Sequence, residues 1–335
     1  MGVIGAEVYA NGAIVASDVT AAEAIAIARE QGGFAWIGLL RADRAELAEL
    51  QDLLGLHSLA VADAQRGHRR ALLETYGGDL FIALQPAHYL DDSESVVCAE
   101  IDLFVVENAI VTVHDDEVID LDSARRELLA HPEVLTRGPL AVVWAVFELV
   151  LRRYEPVLAG VQNDIDEIQA QLFAEQTGVS HRIFALKREV LELQQATAPL
   201  TDMVARLRQV AAEHGAAPHA FRDVLDRARH VSDVVAGLTQ TLDSALQVDA
   251  TLSDQRVNLD MRRMAEIGLL QDEKVKKVSG WAAILFAPTL VGTVYGMNFE
   301  NMPELGWAFG YPFALLLMVS TSVVLYVIFR RRDWL

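Results

Sequence analysis

From Val278 to Phe299, and again from Leu305 to Phe329, the chain carries no charged residue. About 20 apolar residues of helix cross the hydrocarbon core of a bilayer, so each stretch is long enough to span it. Inside lipid every backbone N–H and C=O must be satisfied within the segment, which restricts both stretches to α-helix. Only Glu300 to Glu304 separates them, so they form a tight hairpin with spans at about 278–298 and 311–329. Lys274, Lys276 and Lys277 precede the first span, and Arg330, Arg331 and Arg332 follow the second. Basic flanks stay on the cytoplasmic side. Both termini are therefore expected in the cytoplasm, and the protein in the cell membrane. The alternative, two buried core helices of a soluble protein, leaves the flanking basic clusters unexplained.

Ahead of residue 278 the apolar positions are interrupted every few residues by charge, as in a water-soluble fold. Residues 1–135 read as an α/β domain. Short β-rich runs occur at Gly2–Val8, Phe34–Leu39, Leu80–Gln85, Ile101–Val106 and Ile110–His114, the last two joined by a hairpin turn at Glu107-Asn108. Helical patterns lie at Ala21–Gln31, with a capping box at Thr20 and Glu23, and at Arg44–Leu54. Residues 136–277 read as helical throughout. From Gly138 to about Glu213 the period is 3.6, with a break near Thr177-Gly178, which predicts two long antiparallel helices. Asp164, Asp166 and Glu167 read as a solvated charged face on the first of these. From His219 no proline occurs until Pro288, so a last helix of about 75 residues, roughly 110 Å long, runs into the first span. Such a rod needs neighbours, which predicts a stalk in an oligomeric bundle. Residues 278–335 then form the membrane hairpin.

The formal charge of −19 over 335 residues speaks against a nucleic-acid partner. The single cysteine, Cys98, fits a reducing compartment and reads as a small strand residue. Met1 to Ala10 has no basic stretch and carries Glu7, and so does not read as a signal peptide. No phosphate-binding glycine loop, no phosphorylation motif and no paired-cysteine or His-Glu-x-x-His metal motif is present, so no enzymatic activity and no organic cofactor are expected. The nine histidines are scattered and read as surface or packing residues rather than ligands.

Two membrane helices enclose no pore. Ion passage would require several copies around an axis, with one helix per copy forming the wall. The first span is the better wall, because it continues from the stalk and carries Thr289, Thr293 and Asn298. The second is apolar apart from Ser320-Thr321-Ser322 and is expected to face lipid.

The run Tyr295-Gly296-Met297-Asn298-Phe299-Glu300-Asn301-Met302-Pro303-Glu304-Leu305 resembles the signature of the CorA family of magnesium and cobalt transporters. There a Gly-Met-Asn triplet ends the first membrane helix and Met-Pro-Glu-Leu lies in the outer loop. Further likenesses lie at Gly55-Leu56-His57-Ser58-Leu59 with Asp63, at His68-Arg69-Arg70, and at Leu73-Glu74-Thr75-Tyr76. Others are Thr112-Val113-His114, Asp166-Glu167-Ile168 and Phe221-Arg222-Asp223-Val224. The resemblance implies a funnel-shaped homopentamer with an α/β cytoplasmic domain, a long helical stalk and two C-terminal transmembrane helices. It also implies a pore lined by the first span, with magnesium both cargo and regulator, and cobalt and nickel as further cargo.

Magnesium holds its waters tightly, so a ring that hydrogen-bonds to the hydrated ion is a better filter than one that strips it. Gly296, Met297 and Asn298 would form that filter. Glu300 and Glu304 would concentrate cations at the outer mouth. Resemblance and periodicity agree on Thr289, Phe286 and Val278 as wall residues, and Ala282 falls on the same face. Phe286 and Val278 could gate by dewetting. The family's regulatory magnesium, bound between subunits, maps onto Asp63 and Asp223. Ala62 stands where an acidic residue often precedes the first aspartate, which puts a second ion there in doubt. The segment Asn258-Leu259-Asp260-Met261-Arg262-Arg263 resembles the family's stretch near the membrane, and Gln271-Asp272-Glu273-Lys274-Val275-Lys276-Lys277 resembles it again. An insertion of about 14 residues would lengthen the stalk by roughly 21 Å. Continuity with the span favours Asp272 and Val275, over Asn258 and Met261, at the inner entrance. A zinc-transporting relative of the same fold is the alternative cargo reading, and a membrane-anchored scaffold without transport is the alternative class.

Overall fold

The computed structural model describes residues 3–68, 70–115, 119–176, 178–213, 220–297, 302–332 and 334, with the side chains of all but 3, 4, 220, 304 and 305. Contacts divide the chain into two units, Met1–Asp249 and Ala250–Leu335.

The first unit opens with the hairpin β1 (Val3–Ala10) and β2 (Ala13–Ala16), followed by α1 (Ala21–Gln31), β3 (Phe34–Leu40), α2 (Arg44–Leu54) and α3 (Ser58–Ala64). Then come β4 (Leu72–Tyr76), β5 (Asp79–Leu84), β6 (Ala87–Leu90), β7 (Ser95–Cys98), β8 (Ile101–Val106) and β9 (Ala109–His114). Seven strands form one sheet in the order β2-β1-β3-β9-β8-β5-β4, while β6 and β7 pair by themselves. β3 and β9 are parallel, and the other sheet neighbours are antiparallel. The interior strand β3, Phe34-Ala35-Trp36-Ile37-Gly38-Leu39-Leu40, is apolar on both faces because both faces are covered. One face packs Ala35, Ile37, Phe81, Phe104 and Val111 against α1, α2 and α3. The other packs Trp36, Ile82, Leu103 and Ile110 against the helices that follow β9.

Those helices are α4 (Leu121–Ala130), α5 (Pro132–Leu135), α6 (Leu140–Phe173), α7 (Val179–Thr197), α8 (Leu200–Glu213) and the start of α9 (Ala220–Tyr295). The Thr20–Glu23 capping box is formed, with Gly32 left-handed at the far end of α1. A second box, Asp43 with Glu46, starts α2. The turn at Glu107-Asn108 closes a hairpin with Val106 opposite Ala109.

Three readings change. The edge strands β2 and β4 and the short pair β6–β7 escape a search for apolar runs, because each is short or half polar. The second helix of the 138–213 region is two helices, α7 and α8. Pro199 has no N–H to continue the ladder, and α7 ends at Thr197. Asp164 is buried rather than solvated: it is 6% exposed and accepts a 2.8 Å hydrogen bond from the Tyr89 hydroxyl.

The second unit contains α9 from Ala250 onward, a 3-10 turn at Pro303–Gly306 and α10 (Gly310–Arg331). α10 has 22 residues, about 33 Å of helix against a hydrocarbon thickness of about 30 Å. Both apolar helices are bare, with 11% and 0% of their most apolar 18 residues buried. That excludes the core-helix alternative within this chain. α9 is continuous through both stalk segments that resemble the family's membrane-proximal stretch.

Candidate functional site

The two membrane-length helices meet along one face of each. On α9 the covered positions are Ala283, Ile284, Ala287, Pro288, Val291, Gly292 and Tyr295, at helical steps of three and four. A Cβ at Gly292 would lie 3.3 Å from Met318 Cε, so this glycine lets α10 approach. The partner positions on α10 include Ala314, Met318, Thr321, Ser322 and Leu325. The hydroxyl patch, the polar exception on a helix otherwise expected to face lipid, lies partly on this contact face. Thr321 Oγ1 donates to Leu317 O at 2.9 Å, and Ser322 Oγ lies 3.1 Å from Met318 O and 3.5 Å from Ile284 O on α9. Satisfying each hydroxyl on a backbone carbonyl is what an apolar surrounding demands.

The opposite face of α9 is uncovered. It carries Asp272, Val275, Val278, Ala282, Phe286, Thr289 and Thr293 in one stripe, all exposed within the chain. Phe286 is 66% and Val278 70% exposed. Thr293 Oγ1 donates to Thr289 O at 2.8 Å, so its polarity is partly spent on the helix itself. The stripe ends at Gly296, whose N–H makes the last helical bond, to Gly292 O at 2.9 Å. Met297 N–H then bonds Val294 O at 3.3 Å in a tightened turn, and Met297 is exposed. A Cβ on Gly296 would lie 3.1 Å from Gly292 O, the carbonyl its own N–H bonds, the spacing ordinary to a helix. Asn298 and Glu300 lie outside the described residues, and of Glu304 only the backbone is described, in the 3-10 turn.

Aromatic side chains mark both ends of the hairpin. Trp281 lies 6.5 Å from Tyr326 at one end, and Trp307 lies 6.3 Å from Phe313 at the other. Such rings favour the two membrane–water interfaces.

In the first unit, Asp63 sits on the last turn of α3. Its carboxylate accepts from Arg66 Nη1 at 3.1 Å and from the Tyr76 hydroxyl at 3.0 Å. The helix before it is capped by His57, whose ring stacks on Tyr76 at 4.7 Å. Asp223 is exposed on the first turn of α9, where a negative charge suits the helix dipole. Among the described residues no hydrogen bond joins Asp63 to Asp223 within the chain.

An N-terminal α/β domain and a 76-residue helix whose apolar end pairs with a second apolar helix, both of membrane-spanning length, define a membrane protein. The chain belongs to the CorA-like Mg2+ transporter protein family, whose profile matches residues 31–331. It is similar to the cobalt/magnesium transport protein CorA of Thermotoga maritima, at 24% identity over 324 residues, covering 94% of this chain and 88% of that one. The fold matches the CorA magnesium transporter of Methanocaldococcus jannaschii at TM-score 0.56 and 17% identity, covering 98% of each chain. It also matches the ZntB cytoplasmic domain of Vibrio parahaemolyticus at TM-score 0.53 and 13% identity, covering 76% of this chain and all of that domain.

One group of chemically active residues went unread in the sequence. His68, Glu100 and Asp102 converge in the α/β domain. The signal was present, since Asp102 is the single charged residue in the apolar run Ile101–Val106.

Proposed function

We propose that this protein is a passive channel for hydrated magnesium, with cobalt and nickel as further cargo, driven by the membrane potential. The observation that carries the reading is the uncovered stripe on α9. Val278, Ala282, Phe286 and Thr289 share the face turned away from α10, and that face leads to Gly296-Met297. A lone helix in lipid has no reason to align its threonines with a signature glycine on its unpacked side. A ring of such helices does, because that face becomes the wall of an axial pore.

In this reading five copies form the ring, with both termini in the cytoplasm. Gly296, Met297 and Asn298 make the filter, Asn298 offering amide oxygens to the protons of the ion's water shell. Glu300 and Glu304 raise the local cation concentration. Phe286 and Val278 form apolar constrictions, and Asp272 with Val275 stands at the inner entrance. A divalent ion entering against an inside-negative 100 mV gains about 4.6 kcal/mol, enough without ATP. Cytosolic magnesium bridges Asp63 of one copy to Asp223 of the next, holding the ring closed. Two carboxylates repel unless an ion lies between them, so its loss loosens the interface.

Magnesium flux into liposomes containing the purified protein tests the reading. Flux should be present, and Asn298→Ala should reduce it at least tenfold. Absence of flux would favour the scaffold reading, and flux indifferent to Asn298 would overturn the filter. Replacing magnesium with zinc in the same assay separates the zinc alternative, on which the shared fold has no bearing. An Asp63→Ala/Asp223→Ala protein should stay open at magnesium concentrations that close the unmodified protein.

A further inference from the structure

His68, Glu100 and Asp102 each place one ligand atom within 4.8 Å of the others, the one such group of three found among the described residues. None of them belongs to the stripe on α9 or to the pair Asp63 and Asp223. Their convergence follows from the topology. Asp102 is the second residue of β8, paired with Ala83 on β5 and Val113 on β9. Its side chain shares a strand face with Phe104, which lies in the core beneath α1, α2 and α3. By strand alternation position 102 belongs to an apolar side chain, and a carboxylate occupies it instead. Asp102 is 5% exposed, and its Oδ1 has no hydrogen-bond partner. A buried, unpartnered carboxylate oxygen is costly, and a core retains one only where something completes it.

The surroundings are built rather than incidental. Glu100 is held by the His68 backbone N–H, at 2.9 Å to Oε1 and 3.0 Å to Oε2. The His68 Nδ1 lies 2.9 Å from the same Oε1. The Gln85 side-chain amide donates to the His68 carbonyl, fixing that residue from the other side. Beside Glu100 and Asp102 opens a cavity of about 460 Å³, also lined by Asp43, His114 and Asp115, which gives an ion a way in. Two arginines line it as well: Arg66, which is paired with Asp63 at 3.1 Å, and Arg44.

We propose that His68, Glu100 and Asp102 form a resident site for a zinc-class divalent ion in the α/β domain. Two carboxylates and a neutral imidazole carry two negative charges, which one divalent ion neutralises. The imidazole selects zinc, cobalt or nickel over magnesium, which prefers an all-oxygen octahedron. Tetrahedral ligands about 2.1 Å from a zinc ion stand about 3.4 Å apart, so a contraction of about 1.4 Å or less completes the set, with water in the fourth position. The bound ion would tie the connection between α3 and β4 to the start of β8.

The test uses the full chain in detergent, stripped with chelator and dialysed against zinc in the presence of excess magnesium, which occupies all-oxygen sites. About one zinc per chain should remain on the unmodified protein, with an imidazole in its X-ray absorption spectrum, and zinc should raise its melting temperature. Asp102→Asn keeps the shape of the site, and it and His68→Gln should each lose that zinc and the melting shift. If Asp102→Asn does not fold, His68→Gln decides alone. Zinc retained unchanged in the folded variants, a spectrum without imidazole, or no zinc on the unmodified protein would overturn the proposal.

Discussion

Gly160 faces the ring of Tyr89 so closely that a Cβ there would lie 2.7 Å from ring carbon Cγ. Tyr89 cannot simply swing away, because its hydroxyl holds the buried Asp164 at 2.8 Å. Gly160→Ala is therefore expected to destabilise the protein by about 1–3 kcal/mol, read as a lower melting temperature. Asp164 shows how a local charge count misleads. Its neighbours in sequence, Asp166 and Glu167, are exposed, whereas burial against β6 raises its carboxyl above the usual range. Glu148 on α6 is a second case. Burial raises its carboxyl, and Arg227 at 2.9 Å and Arg152 at 3.6 Å only partly offset that. A folded-state pKa above the unfolded value means the native protein holds this proton more firmly. The contribution to stability is thus full below the ordinary value of 4.5 and is lost as pH rises through the raised one. Relative to Glu148→Gln, the unmodified protein should lose stability between pH 4.5 and neutrality. Paired thermal melts across that range measure the difference.

At the scale of elements, the contact between α9 and α10 depends on Gly292. The atom a Cβ would meet is the flexible end of Met318, at 3.3 Å. Gly292→Ala should therefore be tolerated, whereas Gly292→Leu forces the helices apart. The leucine variant should melt at least several degrees lower in detergent and pass less magnesium in liposomes. Freedom from charge over a bilayer's width pointed to both helices, the second at about 311–329 against Gly310–Arg331 in the fold. It could not say which faces meet, because an all-apolar helix has no polar side to orient it. The hydroxyls of Thr321 and Ser322 illustrate the gap. Their type suited either lipid or a helix contact; Thr321 bonds Leu317 and Met318 carbonyls of its own helix, whereas Ser322 also reaches Ile284 O on α9.

For the whole molecule, the stalk states a requirement that one chain does not meet. From Val257 to Ser279 every residue of α9 is exposed. Val257, Met261, Met264, Gly268, Val275 and Val278 fall at steps of three, four and seven along it, the spacing of a bundle seam. An isolated helix of that length has no tertiary packing to hold it. Met264→Glu is expected to weaken assembly, shifting the full chain in detergent to smaller species by light scattering. Partial assembly unaffected by Met264→Glu would place the seam on another face of α9. Single cysteines at the two ends of the chain, in a protein with Cys98 replaced, should react together or not at all with an impermeant reagent in sealed vesicles.

The sequence alone determined that the chain has two spanning helices, an α/β domain ahead of them and a CorA signature at the end of the first span. These follow from local facts: freedom from charge over a bilayer's width, strand and helix period, and a short run of residues. Tertiary structure decided what distant residues do to one another. It set Asp102 beside His68, 34 positions earlier in the chain, buried Asp164 under Tyr89, and turned Phe286 and Val278 to the face that α10 leaves bare. Burial and electrostatic environment belong to contacts between elements, and such contacts arise from packing rather than from any window of sequence. That is why the CorA signature could be read directly, while the histidine–carboxylate group around the buried Asp102 became visible only once β8 lay between β5 and β9.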